Sequence, residues 1–413
     1  MTAKEQQIEA AVAAGEIPGL ILLATDTAAD KFHYERTIGS ASLKPGAERP
    51  LTLDTTLTIA SCTKIITTVA VLQCVERGQF GLDDDVSTVL DELQDLKILK
   101  GFEEGTENLI LVPVKNKITL RHLLTHSSGI AYDFLDPNII RWRMSTGRTP
   151  DIGESTPLLQ RTNLPLLFEP GEGFVYGYSL DWAGILVARL NNISLEDYIQ
   201  KNICEPLAIT DLTFHLEKND EVRSKLADFN FRSGGITQFG TPADPNGSIS
   251  WIPGRVWPDP VVEEYGGWGV FTSGPSFLKV LASILRNDEK ILRPDTVDEM
   301  FKDQLSAASK EMLNATLSIP EINNFLGGTP LGLQKTWGLG GLLVLEDHTT
   351  GQKAGSLRWA GLPNLFWWID RKVGLCGFYA SQLVPTGDPK SVEWSTVFIQ
   401  DMYERVEGFG TQV

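Results

Sequence analysis

Strand-like runs gather at the two ends of this 413-residue chain, and helical runs fill its middle. At the N-terminus a helical pattern, Gln6 to Ala14, leads into two strand-like runs, Leu20 to Ala24 and Phe32 to Ala41. At the other end the strand-like runs are Leu339 to Leu345, Leu357 to Trp359, and Phe366 to Ala380 with a break around Lys372-Val373-Gly374, before Ser391 to Val406 closes as a helix. Only short turns separate those C-terminal runs. A parallel pair needs a long crossover, so they pair antiparallel, and the matching ends are expected to share one sheet. Between them lie helical patterns at Ile65 to Arg77, Asp84 to Leu93, Leu120 to Thr125, Leu180 to Leu190 and Leu195 to Asn202. The expected architecture is α/β (α+β): an antiparallel sheet flanked by helices. Residues 1–82 and 192–413 form a discontinuous sheet domain, 83–191 a mostly helical insert, and the cleft between them is the natural place for a site. Phe229 to Tyr265, rich in Gly, Pro, Asn and Trp, reads as a long, partly ordered surface region.

The net charge of −17 is spread along the chain, which argues against a nucleic-acid partner, since a phosphate backbone selects a basic face. No run approaches the roughly 20 apolar residues of a membrane helix. Met1 to Ile17 carries Lys4, Glu5, Glu9 and Glu16 without an apolar core and cleavage site, so a cytoplasmic location is expected. The four cysteines, at 62, 74, 204 and 376, form no metal or redox spacing and are expected to be free and buried. No cofactor or metal is implied: Asp83, Asp84 and Asp85 precede a helical pattern, where acids cap amide ends.

The chemistry concentrates at Ser61-Cys62-Thr63-Lys64, which opens a strongly apolar helix. Residues i and i+3 share a helix face, so the Ser61 hydroxyl and the Lys64 amine can meet. Apolar surroundings disfavour the ammonium and leave an amine able to take a proton near neutral pH, unless a neighbouring anion holds it charged. At a helix start the Ser61 N–H is free to stabilise an oxyanion. The same spacing recurs at Ser276-Phe277-Leu278-Lys279, after Pro275 and at the start of an amphipathic helix, Leu278 to Leu285, where Lys279 is expected to face solvent.

Other landmarks accompany Ser61. They are Ile118-Thr119-Leu120-Arg121-His122-Leu123-Leu124-Thr125-His126-Ser127-Ser128-Gly129, Glu169-Pro170-Gly171 with Tyr176 following, Gly266-Gly267-Trp268-Gly269-Val270-Phe271-Thr272-Ser273, and Trp337-Gly338-Leu339-Gly340-Gly341. Through these the chain resembles the class C β-lactamase and penicillin-binding-protein family over nearly its whole length. Tyr176-Gly177-Tyr178-Ser179-Leu180-Asp181-Trp182-Ala183-Gly184 narrows the resemblance to the β-lactamase-like carboxylesterases, the fungal transesterase that loads the lovastatin side chain, and related statin-ester hydrolases.

The resemblance implies a β-lactamase/transpeptidase-like fold and a serine esterase or acyltransferase acting through a Ser61 acyl-enzyme on a neutral polyketide-type ester. It also implies a catalytic tyrosine. Counted back from Gly184, that is Tyr176, with Tyr178 where β-lactamases carry an asparagine. A nearby Lys64 cation is expected to lower the Tyr176 phenol, so that the two act together as the base. The family's third motif, Lys-Thr-Gly or His-Thr-Gly, stands here as Trp359-Ala360-Gly361, which removes the cation that holds a lactam carboxylate and favours neutral esters. Leu362 is expected to give the second oxyanion N–H. Trp359, Gly361, Tyr132, Phe134 and Tyr178 are expected to bind substrate, and His126, ending a helix, to be structural through its carbonyls. A small-molecule ester is the expected partner, with an acyl carrier protein or thioester as possible donor. The alternatives are a β-lactamase or D-amino-acid peptidase, and a non-catalytic ligand-binding or carrier-docking module.

Overall fold

The computed structural model describes residues 1–28, 31–147, 157–253 and 259–410, with side chains through 406. Eight strands form one sheet, in the order Lys335–Trp337, Leu342–Val344, Leu357–Gly361, Leu365–Asp370, Leu375–Ala380, Gly19–Asp26, His33–Ser42, Arg49–Pro50. Every pairing in it is antiparallel. The two ends of the chain meet at its centre, where Ile21 stands opposite Ala380 and Leu23 opposite Phe378.

Gly19–Asp26 is apolar on both faces because both are covered. Ile21 and Leu23 pack into the main core with Ile65, Ile66 and Phe277, whereas Leu20 and Leu22 pack against Ile8, Phe398, Ile399 and Met402 of the terminal helices. Strand periodicity of two thus splits one segment between two cores. The terminal helices run Ala3–Ala13, capped by a Thr2–Glu5 capping box, and Pro389–Gly410.

Several elements differ from the sequence reading. Asp84 to Leu93 is no α-helix; it forms two short 3-10 turns, Val86–Thr88 and Asp91–Leu93. A hairpin, Lys97–Phe102 with Leu109–Pro113, follows them. The C-terminal strands start earlier than expected: Leu339 to Leu345 is realised as Leu342–Val344, preceded by Lys335–Trp337 across a turn in which Gly340 has φ +96°. The helix from Leu195 ends its α part at Ile199 and continues as a π turn through Cys204. Phe229 to Tyr265 is more ordered than expected where described, with strands Asn230–Arg232 and Ile249–Trp251 in a three-stranded sheet with Leu383–Val384. The buried Arg232–Asp388 ion pair fixes it to the C-terminal region. The part of that stretch at 254–258 lies outside the described residues. No helix among the described residues is long and apolar enough to cross a membrane.

Candidate active site

The strand Thr56–Thr58, paired with Phe271–Ser273, delivers the chain into a 3-10 turn, Ala60–Cys62, that runs into the helix Thr63–Glu76. Ala60 sits at φ +46°, a conformation that costs a non-glycine residue about 1–3 kcal/mol and is kept where structure over-determines it. Ala60 and Cys62 on either side of Ser61 are buried, while Ser61 remains partly open to a cleft. The strand Leu357–Gly361 packs directly on this turn. A side chain at Gly361 would lie 2.5 Å from the Ile59 carbonyl oxygen, so glycine there lets the strand end approach Ser61. Leu362 follows on the same wall as Ser61.

Lys64 is 2% exposed, and its three donors are directed. The Nζ lies 3.2 Å from Ser61 Oγ, 3.0 Å from the Tyr132 hydroxyl and 2.8 Å from the Gly267 carbonyl oxygen. Burial pushes the ammonium down to about 7, with the Asp181 charge opposing that shift. A helix start thus places an amine with a near-neutral pKa on a serine hydroxyl.

Tyr176 comes from the other side of the cleft. Its ring lies 4.6 Å from Lys64 Nζ, and its hydroxyl accepts a hydrogen bond from Trp359 Nε1 at 3.1 Å. Burial pushes its phenol above the ordinary value, and hydrogen bonds with Ser61 and Trp359 offset only part of that. The expected lowering by Lys64 is not seen: the amine, rather than the phenol, is the group moved toward neutrality. Trp359 also packs on Trp337, with ring centroids 4.6 Å apart. His126 is fully buried at φ +56°, and its ring packs 4.7 Å from Tyr176 and edge-on to Trp337 at 5.2 Å. Neither ring nitrogen has a hydrogen-bond partner among the described residues, and burial holds it neutral, so it serves as an aromatic wedge rather than a carbonyl partner.

The cleft has mostly apolar walls, as small-molecule sites usually do. It brings together Ser61, Tyr132, Phe134, Tyr176, Tyr178, Trp359, Gly361 and Leu362. Tyr132 and Phe134 are stacked at 5.0 Å, and Tyr132 has a second task, its hydroxyl being held by Lys64. Tyr178 offers the cleft only its ring: its hydroxyl donates to Asp133 at 2.6 Å and accepts from Arg161 Nε at 2.9 Å. Leu135, Arg161, Trp268, Phe325, Leu326 and Thr386 also line the walls; of these only Trp268 falls within a sequence landmark, and none was expected there as a contact.

Other candidates fall elsewhere. Ser276 is buried in the helix Gly274–Arg286, and Lys279 points outward and donates to the Ala208 carbonyl at 2.6 Å. All four cysteines are free and buried, and burial pushes the Cys62 thiol well up, away from reactivity. Asp85 caps the Ser87 N–H, Asp84 accepts from the Gly81 N–H, and Asp83 pairs with Arg121. Glu196, His215 and Glu264 have metal-compatible spacing, but their atoms are engaged with Thr213, with the backbone N–H groups of Phe214 and Glu196, and with one another.

A buried lysine on a serine at the start of a core helix, beside the end of an antiparallel strand and open to an apolar cleft, is an arrangement that suits serine acyl transfer. The chain belongs to the beta-lactamase family, whose model matches residues 5–400. It is 35% identical over 408 residues to monacolin J acid methylbutanoyltransferase of Aspergillus terreus, covering 98% of this chain and 95% of that protein. To lovastatin esterase of Penicillium rubens it is 37% identical over 405 residues, covering 98% of both. Among solved structures it matches the LovD6 mutant of simvastatin synthase from Aspergillus terreus with a TM-score of 0.88 at 35% identity, covering 98% of this chain and 95% of that one. With these relatives it is an enzyme of the esterase and acyltransferase branch, with the β-lactamase/transpeptidase-like fold.

Proposed function

We propose that the enzyme forms an acyl-enzyme on Ser61 from a neutral, largely apolar polyketide-type ester, which an alcohol or water then resolves. The observation that carries this reading is the 3.2 Å contact between the Lys64 amine and the Ser61 hydroxyl at the floor of an apolar cleft. Neutral Lys64 takes the Ser61 proton as Oγ attacks the ester carbonyl. The oxyanion forms beside the Ser61 and Leu362 N–H groups, where one such donor contributes about 3–4 kcal/mol. Tyr176 gives its proton to the departing alkoxide while the adjacent Lys64 ammonium offsets the phenolate; transfer of the extra proton from Lys64 to Tyr176 restores both groups. The acceptor alcohol or water repeats these steps in reverse.

The statin substrates named for the two relatives support a polyketide alcohol on one side of the ester. Trp359, its indole spent on Tyr176, leaves no cation for a lactam carboxylate at that position. The same reading takes 1–82 with 192–413 as the body and 83–191 as the insert, since Ser61 and Trp359 face Tyr132, Phe134 and Tyr176 across the cleft. An acyl thioester, free or on a carrier protein, is the proposed donor for transfer, and the free thiols fit a cytoplasmic setting. The test is intact-protein mass after a fluorophosphonate probe, together with nitrophenol release from a short p-nitrophenyl ester. An adduct on Ser61 and a burst support the proposal; neither appearing refutes it. Nitrocefin turnover matching ester turnover would favour a lactamase instead. Product mass spectra with and without a polyketide alcohol separate transfer from hydrolysis.

A further inference from the structure

Asp181 is a carboxylate with no surface and, among the described residues, no hydrogen-bonded cation. It lies in the first turn of the helix Ser179–Asn191, which packs on the Lys64 helix, and it is 0% exposed. Its Oδ1 accepts the Gly267 N–H at 2.9 Å, and its Oδ2 has no hydrogen-bond partner among the described residues. The loop that supplies this N–H is the one that holds Lys64. Gly267 offers its carbonyl to Lys64 Nζ at 2.8 Å, and Gly266 offers its carbonyl to Thr67 Oγ1, one turn along, at 2.7 Å. Both glycines are needed for the fit: a Cβ on Gly267 would lie 2.6 Å from Asp181 Oδ2, and one on Gly266 2.8 Å from the Leu180 carbonyl.

A buried carboxylate left with one backbone donor is costly unless a nearby positive charge compensates it. Lys64 is the cation on the far side of the diglycine. The other titratable groups facing the pair are Cys62, His126, Tyr132, Tyr176, Tyr178 and Tyr265, all uncharged near neutral pH, and Arg161, which bonds Tyr178 and whose charge favours the Asp181 carboxylate less than that of Lys64 does. Asp181 is therefore the one carboxylate facing Lys64 among the described residues. We infer that Asp181, acting across the Gly266-Gly267 loop, is the positioning residue that sets the proton affinity of Lys64 and hence the pH at which Ser61 becomes nucleophilic. Burial and the Asp181 charge pull Lys64 in opposite directions, so the amine sits near neutrality only while both act.

This inference rests on the assignment of Lys64 as the base. Asp181→Asn keeps an oxygen for the Gly267 N–H and deletes the charge, so the acid limb of kcat/KM for a p-nitrophenyl ester is expected to move down by about one pH unit or more. Above the limb, kcat/KM stays within a few-fold of wild type. Asp181→Glu, which restores the charge, is expected to bring the limb back toward the wild-type position. Asp181→Ser deletes the charge with a smaller side chain and decides the matter equally if Asp181→Asn does not fold. An unmoved limb with uniformly lower activity in a folded charge-deleting variant would mean a merely structural role and overturn the inference. Failure of the underlying reading looks different: wild type itself would then show no Ser61 adduct and no limb to move.

Discussion

Ser61-Cys62-Thr63-Lys64 and Ser276-Phe277-Leu278-Lys279 share a spacing and a place at the start of a helix, and they end in opposite environments. In the first, the lysine is 2% exposed and donates to the serine hydroxyl, a tyrosine and a loop carbonyl. In the second, the serine lies in the N-terminal turn of a helix capped by Ser273, and the lysine is exposed and tied to the Ala208 carbonyl. Spacing supplies reach. In the proposed cycle, reactivity comes from burying the amine and from a cleft that brings a carbonyl to the hydroxyl. The sharpest way to break this comparison is to remove each hydroxyl. Ser61→Ala is expected to lower esterase kcat at least about 10⁴-fold, as loss of a nucleophile does elsewhere, and to abolish the probe adduct. Ser276→Ala should leave both unchanged. Comparable losses in the two variants, by burst kinetics and intact mass, would remove the distinction.

The lysines come next. Lys64→Met should reduce kcat/KM by about 10²- to 10⁴-fold, the usual scale for general-base loss, whereas Lys279→Met should be silent. The wild-type pH profile carries the same contrast. In the proposed cycle Lys64 acts as base in its neutral form, and burial brings it down to about 7. Below that pH the ammonium dominates, so kcat/KM should fall about tenfold per pH unit, and above it the rate should level. Lys279 is exposed and donates to the Ala208 carbonyl, outside the cleft. A profile flat from pH 5 to 9 would contradict the assignment.

The first pair was legible because it is local: i and i+3 on an apolar helix need no knowledge of the rest of the chain. The sheet shared by the two ends was legible for a related reason, since short apolar runs bounded by turns can be read whatever lies between them. Asp181 was not legible. Its partner, the Gly267 N–H, is 86 residues away, and an acid in a first helical turn ordinarily signals nothing beyond the helix dipole. The diglycine at 266–267 was the available trace of it, visible as a landmark but silent about what it admits. Asp84 to Leu93 misled for the opposite reason: the acids there do cap amides, but of 3-10 turns too short to become a helix. The role of Trp359 was half visible, since the missing cation could be read but the indole bond to Tyr176 depends on tertiary placement.

That bond gives a smaller effect. Trp359→Phe keeps the aromatic packing on Trp337 and Tyr176 and removes the N–H. A neutral hydrogen bond contributes about 0.5–1.5 kcal/mol, so kcat/KM for the ester should drop about 2- to 15-fold. Nitrocefin turnover should not appear, because no cation is created. An unchanged ester rate would mean that Trp359 acts through shape alone.

The smallest contrast returns to the two helix starts and is read in stability. At the first, Gly361 lets the strand end meet the Ser61 turn: an added Cβ would fall 2.5 Å from the Ile59 backbone oxygen and 3.2 Å from Cys62 Sγ. Backbone on both sides cannot yield, so Gly361→Ala should cost about 1–3 kcal/mol of overpacking. At the second, Gly274 opens the helix of Ser276, and its added Cβ would meet side-chain methyls, Leu23 Cδ1 at 3.0 Å and Ile21 Cγ2 at 3.1 Å. Those can shift by a few tenths of an ångström, so Gly274→Ala should lower Tm by less than Gly361→Ala does. Calorimetry of the two variants measures the difference directly. If Gly274→Ala proved the more destabilising, the tight fit of the strand end on the Ser61 turn would not be the more rigid of the two packings, and the cleft's preorganisation would have to come from elsewhere.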